Sequence, residues 1–178
     1  MKKIGVFGST CQEDKIVLIK HLFDKLAELD CETYIDSDFF LFMKEKLQYN
    51  PKKNGLITGD IFTIDLALSI GGDGTFLRTA ARVNKQNIPI LGINTGRLGF
   101  LADVKETEVE DTLTEILHDE YHIEERSQLR LFTDERAFLG YNYALNEIAI
   151  LKRDSSSMIT IHTSIDGEYL TSYEADGL

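Results

Sequence analysis

The chain has 178 residues, of which 43% are hydrophobic and 28% charged, with 13 Gly and 2 Pro. This composition excludes a disordered or collagen-like chain, and the length is sufficient to bury a core without disulfides. The 30 acidic residues outnumber the 19 basic ones, for a net charge of −11, which repels nucleic acid and anionic membranes. A polyanionic ligand therefore needs a local attraction, from backbone N–H groups or a divalent cation.

Cysteine content and hydropathy indicate the cellular compartment in which the protein is expected. The chain has two cysteines, Cys11 and Cys31, and nothing else marks a secreted protein. Polar residues interrupt the first apolar run too early for a signal peptide, and no apolar run approaches the ~20 residues of a membrane span. We expect a cytoplasmic protein without nucleic-acid or membrane partners.

The first part of the chain alternates short apolar runs with stripes at helical spacing. The pattern predicts strands at residues 4–7, 33–35, 66–70 and 88–93. Helical stripes run over 16–26, 39–47 and 76–83, and residues 50–55 form a polar loop. Alternating strands and helices indicate a wound, mostly parallel sheet whose ligands bind at the carboxyl ends of strands.

The periodicity changes after a predicted helix at 108–118, which Thr107 and Glu110 are expected to cap. Beyond it, residues 121–132, 138–151 and 158–173 contain short alternating runs, and Asp166–Gly167 favours a two-residue hairpin turn. We therefore predict an α/β domain over residues 1–103, followed by a connecting helix and a β-rich domain over 104–178. That second domain is expected to be incomplete, because the chain stops shortly after an apolar run.

The segment Gly71-Gly72-Asp73-Gly74-Thr75 lies between a predicted strand and a predicted helix. Glycines let backbone N–H groups approach an anion closely, and the following helix adds its partial positive charge, so the segment suits a phosphate. A carboxylate beside a phosphate is useful only if it holds a cation or removes a proton. The alternative is a tight turn in which Asp73 caps the helix.

Three segments together resemble the NAD kinase family: residues 71–75 its GGDGT motif, 94–100 its next glycine-rich strand end, and Asn146-Glu147 its NE pair. Asp176-Gly177-Leu178 resembles the start of a fourth segment. The GGDG motif alone is shared with lipid kinases and phosphofructokinases, so the combination is what points to the family.

The resemblance implies a role for individual residues. Asp73 would be the general base toward the ribose 2′-hydroxyl, and Arg78 would reach a phosphate. The residues that would shape the phosphate loop are Gly72, Gly74 and Thr75. Those that would contact NAD are Phe100, Asn146, Glu147 and Asp176. Without the resemblance, the Asn146-Glu147 pair indicates a turn or strand end on the surface. The alternative for Arg78 is a solvated helix residue, and for Phe100 a core residue.

The implied reaction transfers a phosphoryl group from ATP, with Mg²⁺ or another divalent cation, to NAD and yields NADP and ADP. The resemblance also implies a homo-oligomer, either dimer or tetramer. Because family members continue past the Asp-Gly-Leu segment, we expect the 178-residue chain to be weakly active or inactive by itself. Two alternatives remain: a lipid kinase of diacylglycerol or sphingosine type, and a dinucleotide-binding module without catalysis.

Overall fold

The computed structural model describes residues 1–83, 86–96, 99–133, 141–153 and 157–178. Arg97, Leu98 and Phe138, which belong to the predicted segments above, lie outside the described residues. The chain divides into two compact units, Met1–Glu125 and Arg126–Leu178.

A six-stranded parallel sheet, with strand order β3-β2-β1-β4-β5-β6, forms the centre of the first unit. Its strands are β1 Lys3–Gly8, β2 Glu32–Asp36, β3 Gly55–Ile57, β4 Leu66–Gly71, β5 Ile90–Asn94 and β6 Val104–Lys105. The helices are α1 Ile16–Glu28, α2 Ser37–Glu45, α3 Asp73–Val83 and α4 Val109–Leu117. The strand order reverses between β1 and β4, so their carboxyl ends flank the crevice where wound sheets bind ligands.

The sheet is buried on both faces, as expected for parallel strands. On β4, Leu66, Leu68 and Ile70 join the larger apolar cluster, whereas Ala67 joins the smaller one. Successive side chains of a strand point to opposite faces, so the two clusters lie on opposite sides of the sheet. The α/β fold class predicted from the sequence is confirmed.

Helix α4 packs within the first unit. Its buried residues Val109, Leu113 and Ile116 belong to the larger cluster, together with residues of α1. The two compact units consequently divide after Glu125, later than the boundary that the sequence placed after residue 103.

The predicted helix is present and begins at Val109, one residue after the expected start, but the predicted capping pair is wrong. A 3-10 turn at Glu106–Glu108 precedes α4, and the Lys105 N–H donates to Glu108 Oε2 at 3.1 Å. The capping contact therefore lies two residues earlier than the expected Thr107–Glu110 pair, because the 3-10 turn moves the start of the helical segment toward the N-terminus.

The strands described in the second unit form two antiparallel pairs: β7 Leu129–Arg130 with β8 Tyr143–Ala144, and β9 Ile159–Ile165 with β10 Glu168–Ala175. Asp166 and Gly167 have φ of 53° and 86°, which confirms the predicted hairpin turn. Among the described residues of 126–178, none is buried. Along the described parts of the chain, no helix is both long and apolar enough to cross a membrane.

Candidate functional site

The turn between β4 and α3 requires glycine at its first position. Gly71 has φ of +154°, and a Cβ atom there would lie 2.4 Å from Thr75 Oγ1. The Thr75 N–H donates to the Gly72 carbonyl at 2.9 Å, which closes the first turn of the helix. The N–H groups of Asp73 and Gly74, which precede it at the start of the helix, have no acceptor in an earlier helical turn and carry the partial positive charge of the helix, so this turn suits an anion.

The Asp73 carboxylate accepts hydrogen bonds from three consecutive backbone N–H groups. Phe100 donates to Oδ2 at 2.9 Å, and Leu101 and Ala102 donate to Oδ1 at 3.1 and 3.4 Å. These donors stabilise the ionised form, with the Phe100 N–H contributing most, and so lower the pKa of Asp73 below its ordinary value. Asp73 therefore contacts the segment between β5 and β6, which a simple helix cap would not do.

Gly99 adjoins this carboxylate. A Cβ atom at position 99 would lie 2.2 Å from Asp73 Oδ1 and 2.5 Å from its Cγ, far inside van der Waals contact. Gly99 is part of the glycine-rich strand end noted in the sequence, but nothing in the sequence pattern linked it to Asp73.

A buried side-chain amide connects the ends of three strands. Gln12, 5% exposed, follows β1, and its Nε2 donates to the Ile70 carbonyl of β4 at 3.3 Å. Its Oε1 accepts from Thr95 Oγ1, just after β5, at 2.9 Å. The Thr95 N–H also reaches the Gly71 carbonyl at 3.4 Å. Sequence reasoning missed Gln12, because a single glutamine in a polar loop has no distinguishing pattern.

The other predicted residues of the first unit surround the same turn. Gly72 and Gly74 are exposed. Arg78 is also exposed, and its Nη2 donates to Thr75 Oγ1 at 3.1 Å. Phe100 has 91% of its surface exposed, so the alternative of a core residue is wrong.

The three remaining predicted residues lie in the second unit. Asn146 Nδ2 donates to Glu147 Oε2, and both residues are exposed. Asp176 Oδ1 is 2.6 Å from Lys152 Nζ, and the Lys152 N–H donates to the Asp176 carbonyl at 2.9 Å. The predicted pair is therefore adjacent in space as in sequence, and Asp176 has a cationic partner that the sequence did not indicate.

In the part of the chain that the structure describes, no group of three or more His, Cys, Asp or Glu side chains has the arrangement of a metal site. Mg²⁺ in phosphoryl transfer is usually held by one or two carboxylates together with substrate phosphates, so such a group is not needed. We assign no protein ligand to a cation.

A wound parallel sheet with a glycine-rich strand-to-helix turn at its carboxyl edge is typical of the α/β proteins that bind nucleotides. Comparison with known families narrows this class. The family described as ATP-NAD kinase N-terminal domain matches residues 21–121. The chain belongs to this family.

Two curated relatives are close in sequence. An NAD kinase of Bacteroides fragilis is 50% identical over 176 residues, a match that covers 99% of this chain and 61% of that protein. An NAD kinase of Porphyromonas gingivalis is 43% identical over 178 residues, covering 100% of this chain and 61% of that protein. The chain thus spans about 61% of the length of these relatives.

A solved structure, yeast NADH kinase complexed with NADH, has a TM-score of 0.80 to this chain. The two share 20% sequence identity, and the match covers 99% of this chain and 56% of the yeast chain. At this identity the likeness shows the shared fold.

Proposed function

We propose that this chain carries the phosphoryl-transfer site of an NAD kinase. The enzyme transfers the terminal phosphoryl group of ATP to the 2′-hydroxyl of the adenosine ribose of NAD, giving NADP and ADP. Membership of the ATP-NAD kinase family and the two NAD kinase relatives support this reaction. The observation that carries the proposal is an ionised Asp73 at the mouth of a glycine-rich turn.

Asp73 acts on the acceptor hydroxyl. Its Oδ1 accepts two N–H groups and its Oδ2 one, so by simple lone-pair counting Oδ2 retains an acceptor position for the 2′-hydroxyl. The lowered pKa makes Asp73 a weak base. That suffices, because phosphoryl transfer has a loose transition state and depends mainly on positioning. As the 2′-oxygen bonds to phosphorus and the bond to ADP breaks, the hydroxyl proton passes to Asp73.

The phosphates of the donor bind at the turn. Because Gly72 and Gly74 have no side chains, a phosphate can approach the first N–H groups of α3 closely. Their partial positive charge attracts it locally, within a chain of net charge −11. Arg78 lies on the next turn of the helix and supplies a guanidinium for a phosphate oxygen. A divalent cation bound with the nucleotide would neutralise negative charge on its phosphates.

From the family's motifs, we propose contacts with NAD for Phe100 of the first unit and, separately, for three residues of the second unit. The exposed ring of Phe100 offers a face to a flat ring of the dinucleotide. The amide of Asn146 and the carboxylates of Glu147 and Asp176 suit the hydroxyls of a ribose and the edge of adenine. For Asp176, NAD has to share or replace the contact with Lys152.

The test is NADP formation from ATP and NAD, measured on the 178-residue chain and on the longest open reading frame that contains it. We expect NADP from the longer form and little or none from the 178-residue chain. Full turnover by the 178-residue chain would contradict the second expectation.

The two alternatives have their own outcomes in the same assay. Phosphorylation of diacylglycerol in place of NAD by the longer form would identify a lipid kinase. Calorimetric binding of NAD without any turnover would identify a non-catalytic module. Family membership favours neither.

We also propose a cytoplasmic homo-oligomer, either a dimer or a tetramer. Light scattering coupled to size-exclusion chromatography of the longer form measures its mass directly. A mass equal to that of one chain would contradict the oligomer.

A further inference from the structure

The segment 99–102 lies between β5 and β6 and is fixed from both sides. Ala102 is 1% exposed and packs over Gly92 of β5, where a Cβ atom would lie 2.7 Å from the Ala102 Cα. On the other side, the Asp73 carboxylate accepts the N–H groups of Phe100, Leu101 and Ala102. Between these contacts the Phe100 ring projects into solvent.

The contact between Asp73 and the segment 99–102 depends on charge and on space. Three N–H groups converge on one carboxylate, which is acceptor-only when ionised. An asparagine has a single acceptor oxygen, and its NH₂ group would face backbone donors. The close approach also requires that residue 99 has no side chain, since a Cβ atom would overlap the carboxylate.

We propose that Asp73 is a positioning residue for the segment 99–102 in addition to its role toward the acceptor hydroxyl, and that Gly99 is the residue this contact requires. The placement of Phe100 beside the glycine-rich turn then depends on both residues. The link to NAD rests on the proposed function, whereas the contact itself does not.

The contact changes what the variant Asp73→Asn can show about catalysis. Asp73→Asn removes the proton acceptor and disrupts the segment that carries Phe100 at the same time. A loss of turnover in that variant therefore does not isolate proton transfer. Gly99→Ala retains the carboxylate that accepts the proton and breaks its contact with the segment, so it tests the contact without removing the proton acceptor.

Amide hydrogen exchange, followed by NMR on the full 178-residue chain, tests the contact without any ligand. We expect exchange of the Phe100, Leu101 and Ala102 amides to accelerate at least about tenfold in Asp73→Asn and in Gly99→Ala. The matched control is Gly96→Ala in the same connection, where a Cβ atom has no neighbour within 4 Å, and its exchange should equal that of the wild type.

The double variant sharpens the test. If Asp73 and Gly99 act through one contact, combining Asp73→Asn with Gly99→Ala should accelerate exchange no further than the stronger single variant. Independent, multiplying effects would overturn the proposal, as would unchanged exchange in both single variants. The two substitutions lie on opposite sides of the contact. If only one variant folds, its amide exchange at residues 100–102 still tests whether the contact exists.

Steady-state kinetics of the longer form test the consequence for NAD. We expect Gly99→Ala to raise KM for NAD at least about threefold and to lower kcat, with KM for ATP less affected. A Gly99→Ala variant with wild-type constants would overturn the role in positioning Phe100. If no form makes NADP, the proposed function fails, and the exchange experiment still decides whether the contact exists.

Discussion

At the scale of single residues, Asp73 makes the pH dependence predictable. Hydrogen bonds from the Phe100 and Leu101 N–H groups lower its pKa below the ordinary value of 3.8. A carboxyl whose pKa is lower in the folded than in the unfolded state stabilises the fold above its unfolded pKa. That contribution is lost as the pH falls through the folded pKa.

We therefore expect the Asp73 carboxyl carbon and the three amides at residues 100–102 to titrate together in NMR spectra, with a midpoint below 3.8. The stability difference between wild type and Asp73→Asn should shrink over the same range of acidic pH. A midpoint at or above 3.8 for Asp73 would contradict the prediction.

The sequence allowed Asp73 and its flanking glycines to be predicted, because their types and order have a chemical meaning at a strand-to-helix turn. It did not allow the partners of Asp73 to be predicted. Those partners are backbone N–H groups, which every residue except proline has, so no side-chain pattern reports them. Gln12 was missed for a related reason: its burial follows from the fold of the sheet and not from its neighbours in sequence.

At the scale of elements, α2 begins with a well-defined cap. Asp36 Oδ2 accepts from the Asp38 and Phe39 N–H groups at 3.2 and 3.3 Å, and Arg82 Nη1 of α3 lies 3.6 Å from Oδ1. Burial raises the pKa of Asp36, although the Phe39 N–H and Arg82 act in the opposite direction. The cap thus also connects α2 to α3.

Replacing the cap should cost stability. We expect Asp36→Ala to lower the free energy of unfolding by about 0.5–2 kcal/mol, as measured by urea denaturation. Asp36→Asn is the matched control, since asparagine caps helices about as well as aspartate, and it should retain most of the lost stability. Equal losses in the two variants would show that the charge near Arg82, and not the cap, stabilises this region.

The longer elements were predictable from hydrophobic periodicity, but the two short edge strands were not. Residues 55–57 follow a polar loop and form β3 only through pairing with β2, and β6 consists of two residues beside β5. Strands of this length contain too few residues to show a period. They are strands because they form hydrogen bonds to β2 and β5, and these pairings cannot be read from the local sequence pattern.

At the scale of the whole molecule, buried apolar residues are unevenly distributed. Every buried hydrophobic residue that the structure describes lies between Ile4 and Ile116, within the first unit. The described residues of the second unit form two two-stranded pairs, and such pairs are marginally stable by themselves.

We expect native-state hydrogen exchange of the 178-residue chain to show strong protection in β1, β4 and β5 and weak protection in β9 and β10. The comparison is internal, because both sets of amides are measured in one sample. Comparable protection in the hairpin would mean that burial of side chains does not govern local stability here.

The fold class followed from the alternation of strand and helix periods, which extends over the first hundred or so residues and is insensitive to errors at single boundaries. The division of the chain was harder to predict. The periods change after residue 103, but the apolar face of α4 packs on the first unit, and the compact unit extends to Glu125. A change of period marks a change of element type and not necessarily a change of unit.

The order of elements along the chain has a consequence for biosynthesis. All strands of the parallel sheet precede residue 106, and α4 ends at Leu117. Ribosomes add about 5–20 residues per second, and folding units near the N-terminus generally fold first. The glycine-rich turn and its contacts therefore belong to the portion of the nascent polypeptide that acquires its native arrangement while translation of the remaining message continues.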